Sequence, residues 1–157
     1  MIGSELQAFL ESGVSVLVGT RDRLLVPEGA RGFGVRVLPG GTEIEVFVPD
    51  AWAERTLANL ADNGRIAVSV AQPEDHRSVQ VKGAMLAIRP GGDAERAAID
   101  RYRDALIAKF SVIGYPPSLF RRLNVWPCHV VRLRVEALFE QTPGPRAGVP
   151  LAAGGAA

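Results

Sequence analysis

The sequence predicts a mainly β protein, a small antiparallel β-barrel of about six strands decorated with helices. Three observations carry that reading. Short stretches alternate apolar and polar residues at period two, as in Val14-Ser15-Val16-Leu17-Val18 and Glu43-Ile44-Glu45-Val46. Closely spaced breaks such as Pro39-Gly40-Gly41 and Asn63-Gly64 separate them. Segments of helical spacing interrupt the strands instead of alternating with them.

Met1 to Leu10 reads as a short amphipathic helix with Leu6, Phe9 and Leu10 on one side. Strand one covers Val14 to Thr20, the turn Arg21 to Pro27, and strand two roughly Gly29 to Leu38. Strand three, Glu43 to Val48, points Ile44, Val46 and Val48 inward and Glu43, Glu45 and Phe47 outward. Asp50 is placed to cap a helix running to about Asp62, with Ala53, Leu57, Leu60 and Ala61 as its stripe. Strand four is Arg65 to Ala71. Strand five runs from Ser78 to Arg89, and its apolar phase changes near Gly83, as a bulge would cause. Asp93 is expected to cap a long helix whose Ile99, Tyr102, Leu106 and Phe110 recur at core-packing intervals. A short helix over Ser118 to Leu123 and a long strand, His129 to Gln141, complete the set.

A chain of 157 residues suits one domain, here 1–145 with a helical insert at 93–126. The Pro-, Gly- and Ala-rich stretch 146–157 reads as a flexible tail. A formal net charge of +1 gives no basic field for nucleic acid. The single cysteine, Cys128, excludes an internal disulfide and suits a reducing compartment. No apolar run approaches the ~18 residues of a membrane span, so a cytoplasmic protein without a membrane partner is expected.

Within strand two, Gly32 and Gly34 share one face with Ala30 and Arg36, while Arg31, Phe33, Val35 and Val37 share the other. Paired glycines suggest close approach to the backbone, and two arginines bracket them. Guanidinium suits phosphate, so the strip fits either a flat phosphorylated ligand or a bend with solvated arginines. Standard chemistry is otherwise missing. Gly29, Gly32 and Gly34 have the wrong spacing for a dinucleotide fingerprint, and no Walker sequence occurs. His76 and His129 lie too far apart for a metal cluster, and a strand points neighbouring Cys128 and His129 to opposite faces. An enzyme here would borrow its chemistry from a cofactor.

The order of Gly19-Thr20-Arg21-Asp22, Pro27-Glu28, the Arg31–Arg36 strand, Val46-Phe47-Val48-Pro49, Arg55-Thr56-Leu57-Ala58-Asn59-Leu60, Arg65-Ile66-Ala67-Val68 and Val79-Gln80-Val81-Lys82-Gly83 resembles the pyridoxamine 5′-phosphate oxidase-like, FMN-binding split-barrel family. Phe139-Glu140-Gln141-Thr142-Pro143-Gly144-Pro145 resembles the ending of a small bacterial branch. The resemblance implies a split barrel holding FMN, with phosphate contacts from Arg31, Arg36, Arg55 and Thr56. Gly32, Phe33, Gly34 and Val35 would lie along the ring, Pro49 and Asp50 at its edge, and Ser78 and Gln80 on strand five. Only Arg146 stands where the vitamer oxidase carries an arginine and a histidine, so the resemblance does not extend to that enzyme.

Two functional classes follow. One is an FMN-dependent oxidoreductase passing electrons between a reduced nicotinamide cofactor and a small acceptor. The other is a non-catalytic flavin- or haem-binding carrier or sensor, and a deazaflavin-dependent reductase is a third reading. In either main class Arg31, Arg36 and Arg55 would converge on one anion site, and the 93–126 insert would roof the flavin. Outward-facing Phe47 suggests a homodimer with the flavin near its interface.

Overall fold

The computed structural model describes residues 2–151. The helix α1 (Ser4–Leu10) is followed by strands β1 (Ser15–Arg21), β2 (Pro27–Gly32), β3 (Val35–Val37) and β4 (Glu43–Pro49). A 3-10 turn (Asp50–Trp52) leads into α2 (Glu54–Asn63), then β5 (Arg65–Ala71) and β6 (Ser78–Pro90). α3 (Asp93–Val112), α4 (Ser118–Arg121) and β7 (Cys128–Glu140) complete the chain. Among the described residues no helix is long and apolar enough to cross a membrane.

The seven strands form one antiparallel sheet in the order β2-β1-β5-β6-β7-β4-β3. β2 and β3 are its two edges, yet only Phe33 and Gly34 separate them in sequence. The sheet must therefore curl until its edges meet. Phe33 N–H donates to Phe47 O at 2.8 Å, and Phe47 N–H to Gly34 O at 3.1 Å, across that seam. Beyond these bonds the barrel stays split, because β2 is laddered to β1 and β3 to β4.

The single strand expected over Gly29–Leu38 is thus two. Gly34 makes the break with φ +127°, a backbone state that side chains oppose. The glycine strip is also already filled. A Cβ on Gly32 would stand 2.6 Å from Val16 Cγ1, and one on Gly34 would stand 2.8 Å from the Phe47 ring. The core, not a flat ligand, approaches the backbone there.

Inside the barrel, Val18, Val46, Val48, Val68, Val81 and Leu133 are fully buried, as their alternation predicts. β4 departs from its expected two-faced pattern. Phe47 and Glu45, read as outward, are both buried, Phe47 on a cavity wall shared with α3 and Glu45 in ion pairs to Arg36 and Arg89. The apolar surplus that suggested a dimer through Phe47 is therefore satisfied within the chain. On β6 the register shifts between Lys82 and Gly83, where the phase change placed a bulge. A Cβ on Gly83 would collide with the Arg134 carbonyl oxygen.

Two expected caps are reassigned. Asp50 opens the 3-10 turn, and its carboxylate pairs with His129 in place of capping α2. Asp93 lies inside α3, and Glu95 instead accepts from the Gly92 N–H at 3.0 Å. Part of the stretch expected to be flexible folds back on β7, with Gly148 N–H on Glu140 O and Leu151 N–H on Leu138 O. Residues 152–157 of that stretch lie outside the described residues.

Candidate functional site

The break at Gly34 wedges the buried Phe33 ring between two aromatic neighbours. Trp52 stacks on it at 5.9 Å, and Tyr102 meets it edge-on at 6.1 Å. Each neighbour belongs to the wall of a different cavity.

The first cavity, about 470 Å³, lies at the start of α2 and is lined by Glu28, Asp50, Ala51, Trp52, Glu54, Arg55 and Ala58. No side chain caps α2, so the amides of its first turn are available to an anion. Arg55 is 68% exposed, and its Nε is a loose 3.6 Å from Glu28 Oε2. Asp50 Oδ1 lies 2.8 Å from His129 Nδ1. Two of the three lining carboxylates thus already hold cationic or imidazole partners, and Trp52 adds a flat face. Arg55 is the single cation among these lining residues beside three carboxylates, so an anionic flat ligand would depend on Arg55, the first-turn amides and the Trp52 face acting together.

The second cavity, about 710 Å³, lies between α3 and the β3–β4 edge, with Gly34, Val35, Arg36, Phe47, Ala98 and Tyr102 among its lining residues. Its polar groups are largely spent. Arg36 donates through Nε to Glu45 Oε2 at 2.8 Å and through Nη2 to Glu95 Oε1 at 2.9 Å. Arg89 reaches the same Glu95 through Nη2 at 3.0 Å and Nη1 at 3.2 Å. The Arg89 bonds, then the Gly92 amide, hold the Glu95 carboxyl at about 2, against the opposing pull of burial. Burial works against the Arg36 charge, but Glu45 and Glu95 outweigh it and raise its pKa. Two guanidiniums and two carboxylates balance, tying β3, β4 and β6 to the first turn of α3. Tyr102 is spent too, donating its hydroxyl to the Val14 carbonyl.

The three arginines expected to converge do not. Arg36 serves the α3 clamp, Arg55 borders the α2 cavity, and Arg31 is exposed on β2 across from Leu17. Thr56 is fully buried, off the wall of the α2 cavity, with an unpartnered Oγ1. Pro49 is buried opposite Cys128, beside Asp50. Ser78 Oγ donates to His76 O, and Gln80 Nε2 to Ser69 Oγ at 2.9 Å on the outer sheet face. Phe33 and Val35 are core. Of the expected set, the α2 cavity gathers Asp50 and Arg55. Trp52, Glu28 and His129 join them without having been singled out for this site, and only Trp52, two residues from Asp50, was near enough in sequence to suggest itself. Cys128 is buried, and burial, then the Asp50 charge, pushes its thiol up to about 11. Among the described residues no three His, Cys, Asp or Glu side chains gather to hold a metal.

No protein-family model matches the sequence, and no curated protein does. Solved structures match over most of the chain. HupZ of Group A Streptococcus shares 20% identity over 94% of this chain and 100% of that one, with TM-score 0.58. A pyridoxamine 5′-phosphate oxidase-like protein of Lactobacillus delbrueckii shares 14% over 87% and 93%, with TM-score 0.54. An FMN-binding protein of Syntrophomonas wolfei shares 15% over 85% and 81%, with TM-score 0.52. The chain has the pyridoxamine 5′-phosphate oxidase-like split-barrel fold.

Proposed function

We propose that the chain is an FMN-binding flavoprotein that seats its cofactor at the start of α2 and acts as a cytoplasmic oxidoreductase. The α2 cavity carries this reading, because it combines Arg55, uncapped helix amides and the Trp52 face. Arg55 and the first-turn amides would hold the phosphate, while Trp52, braced by Phe33, would orient the ring system. Bound FMN supplies reversible hydride acceptance from a reduced nicotinamide cofactor. The protein's share is to bind, orient and shield, so no acid–base pair is needed. The fold likeness to an FMN-binding protein supports the cofactor assignment.

A homodimer remains part of the reading. Leu17, Gly19, Ala67, Ser69 and Gln80 lie on the outer face of β1, β5 and β6, flanked there by the exposed Arg31 and Lys82, and a second copy would meet this mixed surface. The test is anaerobic mixing of FMN-loaded protein with NADH or NADPH while the flavin absorbance is followed. Bleaching faster than that of free FMN is expected. Binding without bleaching replaces the enzyme with a carrier, and no binding removes the flavin reading.

A further inference from the structure

We propose that the corner joining α3 to α4 docks this protein onto an anionic lipid bilayer. Four large apolar side chains stand in solvent within eight residues. Val112 is 77% exposed, Leu119 51%, Tyr115 49% and Ile113 42%. A loose loop is not the cause. Phe110 lies beneath them, edge-on to Tyr115 at 5.4 Å and 4.6 Å from Phe120. Tyr115 N–H donates to Phe110 O at 3.0 Å, and Gly114 turns the chain at φ +94°. The corner is an ordered, convex apolar knob, and contiguous exposed apolar surface of this kind marks an interaction site.

Charge selects the partner. From Ala105 to Val135 the sequence holds no Asp or Glu, but it holds Lys109, Arg121, Arg122, Arg132 and Arg134. Lys109 is used by Ser12 and Gln72, Arg132 by Glu43, and Arg134 by Glu136. Arg121 and Arg122 are exposed beside the knob and make no ion pair among the described residues. A second copy is a poor occupant, since a two-fold contact through this face would crowd four guanidiniums together. A folded acidic protein would need a matching groove. A bilayer deforms around a knob, taking Val112, Ile113 and Leu119 among its headgroups while the arginines meet lipid phosphates. Such peripheral binding needs no spanning helix, and none occurs among the described residues.

The experiment is co-sedimentation of the full chain with vesicles of phosphatidylglycerol and phosphatidylcholine, against phosphatidylcholine alone. Pelleting with the anionic vesicles only is expected, with release as salt rises to ~0.5 M. Neutralising both arginines (R121Q with R122Q) should weaken binding roughly fivefold per arginine. Val112→Asp should weaken it about tenfold, while Leu86→Asp, an exposed leucine elsewhere, should not. Unchanged thermal midpoints would show that the variants are folded. Absent pelleting, equal pelleting on neutral vesicles, or indifference to Val112→Asp overturns the proposal. So does a change of oligomeric mass on Val112→Asp, which would assign the corner to contact between copies.

Discussion

The two cavities beside Phe33 use the same vocabulary of arginine, carboxylate and aromatic ring, and they reach opposite states. At the α3 cavity Arg36 and Arg89 share Glu45 and Glu95, and the Tyr102 hydroxyl is spent on a backbone carbonyl. At the α2 cavity Arg55 swings 68% exposed with one loose partner, and the helix amides lack a cap. Satisfied polar groups rigidify a fold, whereas groups left unsatisfied beside a cavity are available to a ligand. On this comparison the α3 side holds the barrel and the α2 side serves binding.

The largest expected effect lies at the hinge between them. Gly34→Val places a β-branched residue at φ +127° and drives its Cβ into the Phe47 ring. Backbone strain of ~1–3 kcal/mol adds to overpacking of similar size. The variant should lose most of its stability in urea unfolding, not merely its ligand. A stable Gly34→Val protein would mean that the seam at Phe47 can open without cost.

Next comes the clamp. Glu95→Ala leaves Arg36 and Arg89 without their shared carboxylate and should cost about 2–3 kcal/mol, discounted for the exposure of both guanidiniums. The pH dependence has a definite sign. The folded Glu95 carboxyl sits at about 2, below its usual 4.5, so its contribution is complete above that usual value. It fades as pH falls toward about 2. Wild type should therefore lose stability in that window more steeply than Glu95→Gln. Parallel acid curves would show the clamp to be idle.

How far the sequence discloses this contrast depends on range. The β6 bulge was legible because a local phase change at Gly83 records it. β4 misled, because Glu43 to Val48 alternates like a strand with one wet face while partners far along the chain cover both. Glu45 is buried only because Arg36 on the next strand and Arg89 far downstream neutralise it. Local pattern cannot announce that. The family resemblance alone joined Arg31 and Arg36 into one grip, since alternation along a continuous strand sets them on opposite faces, and the Gly34 break sends them to opposite edges of the sheet.

A paired ligand measurement sharpens the comparison. Arg55→Ala should weaken FMN binding roughly tenfold, as expected for a charged hydrogen bond worth ~1.5 kcal/mol. Arg36→Ala should leave FMN affinity unchanged while lowering the unfolding midpoint. The reverse pattern in fluorescence titration would move the phosphate to the α3 cavity.

The smallest effect expected is at Asp50. Its pair with His129 is exposed on both sides, 42% and 28%, and surface pairs contribute about 0.2–1 kcal/mol. Asp50→Asn should therefore barely move the unfolding midpoint. Asp50 also lines the cavity where Arg55 would meet an anion, so its charge opposes the phosphate across that space. Removing it should tighten FMN binding about two- to threefold at low salt, and the gain should vanish near ~0.5 M salt as screening removes the repulsion. Weaker binding in Asp50→Asn at every ionic strength would instead make this carboxylate a direct acceptor for the ligand, and the α2 cavity would then recognise more than a phosphate.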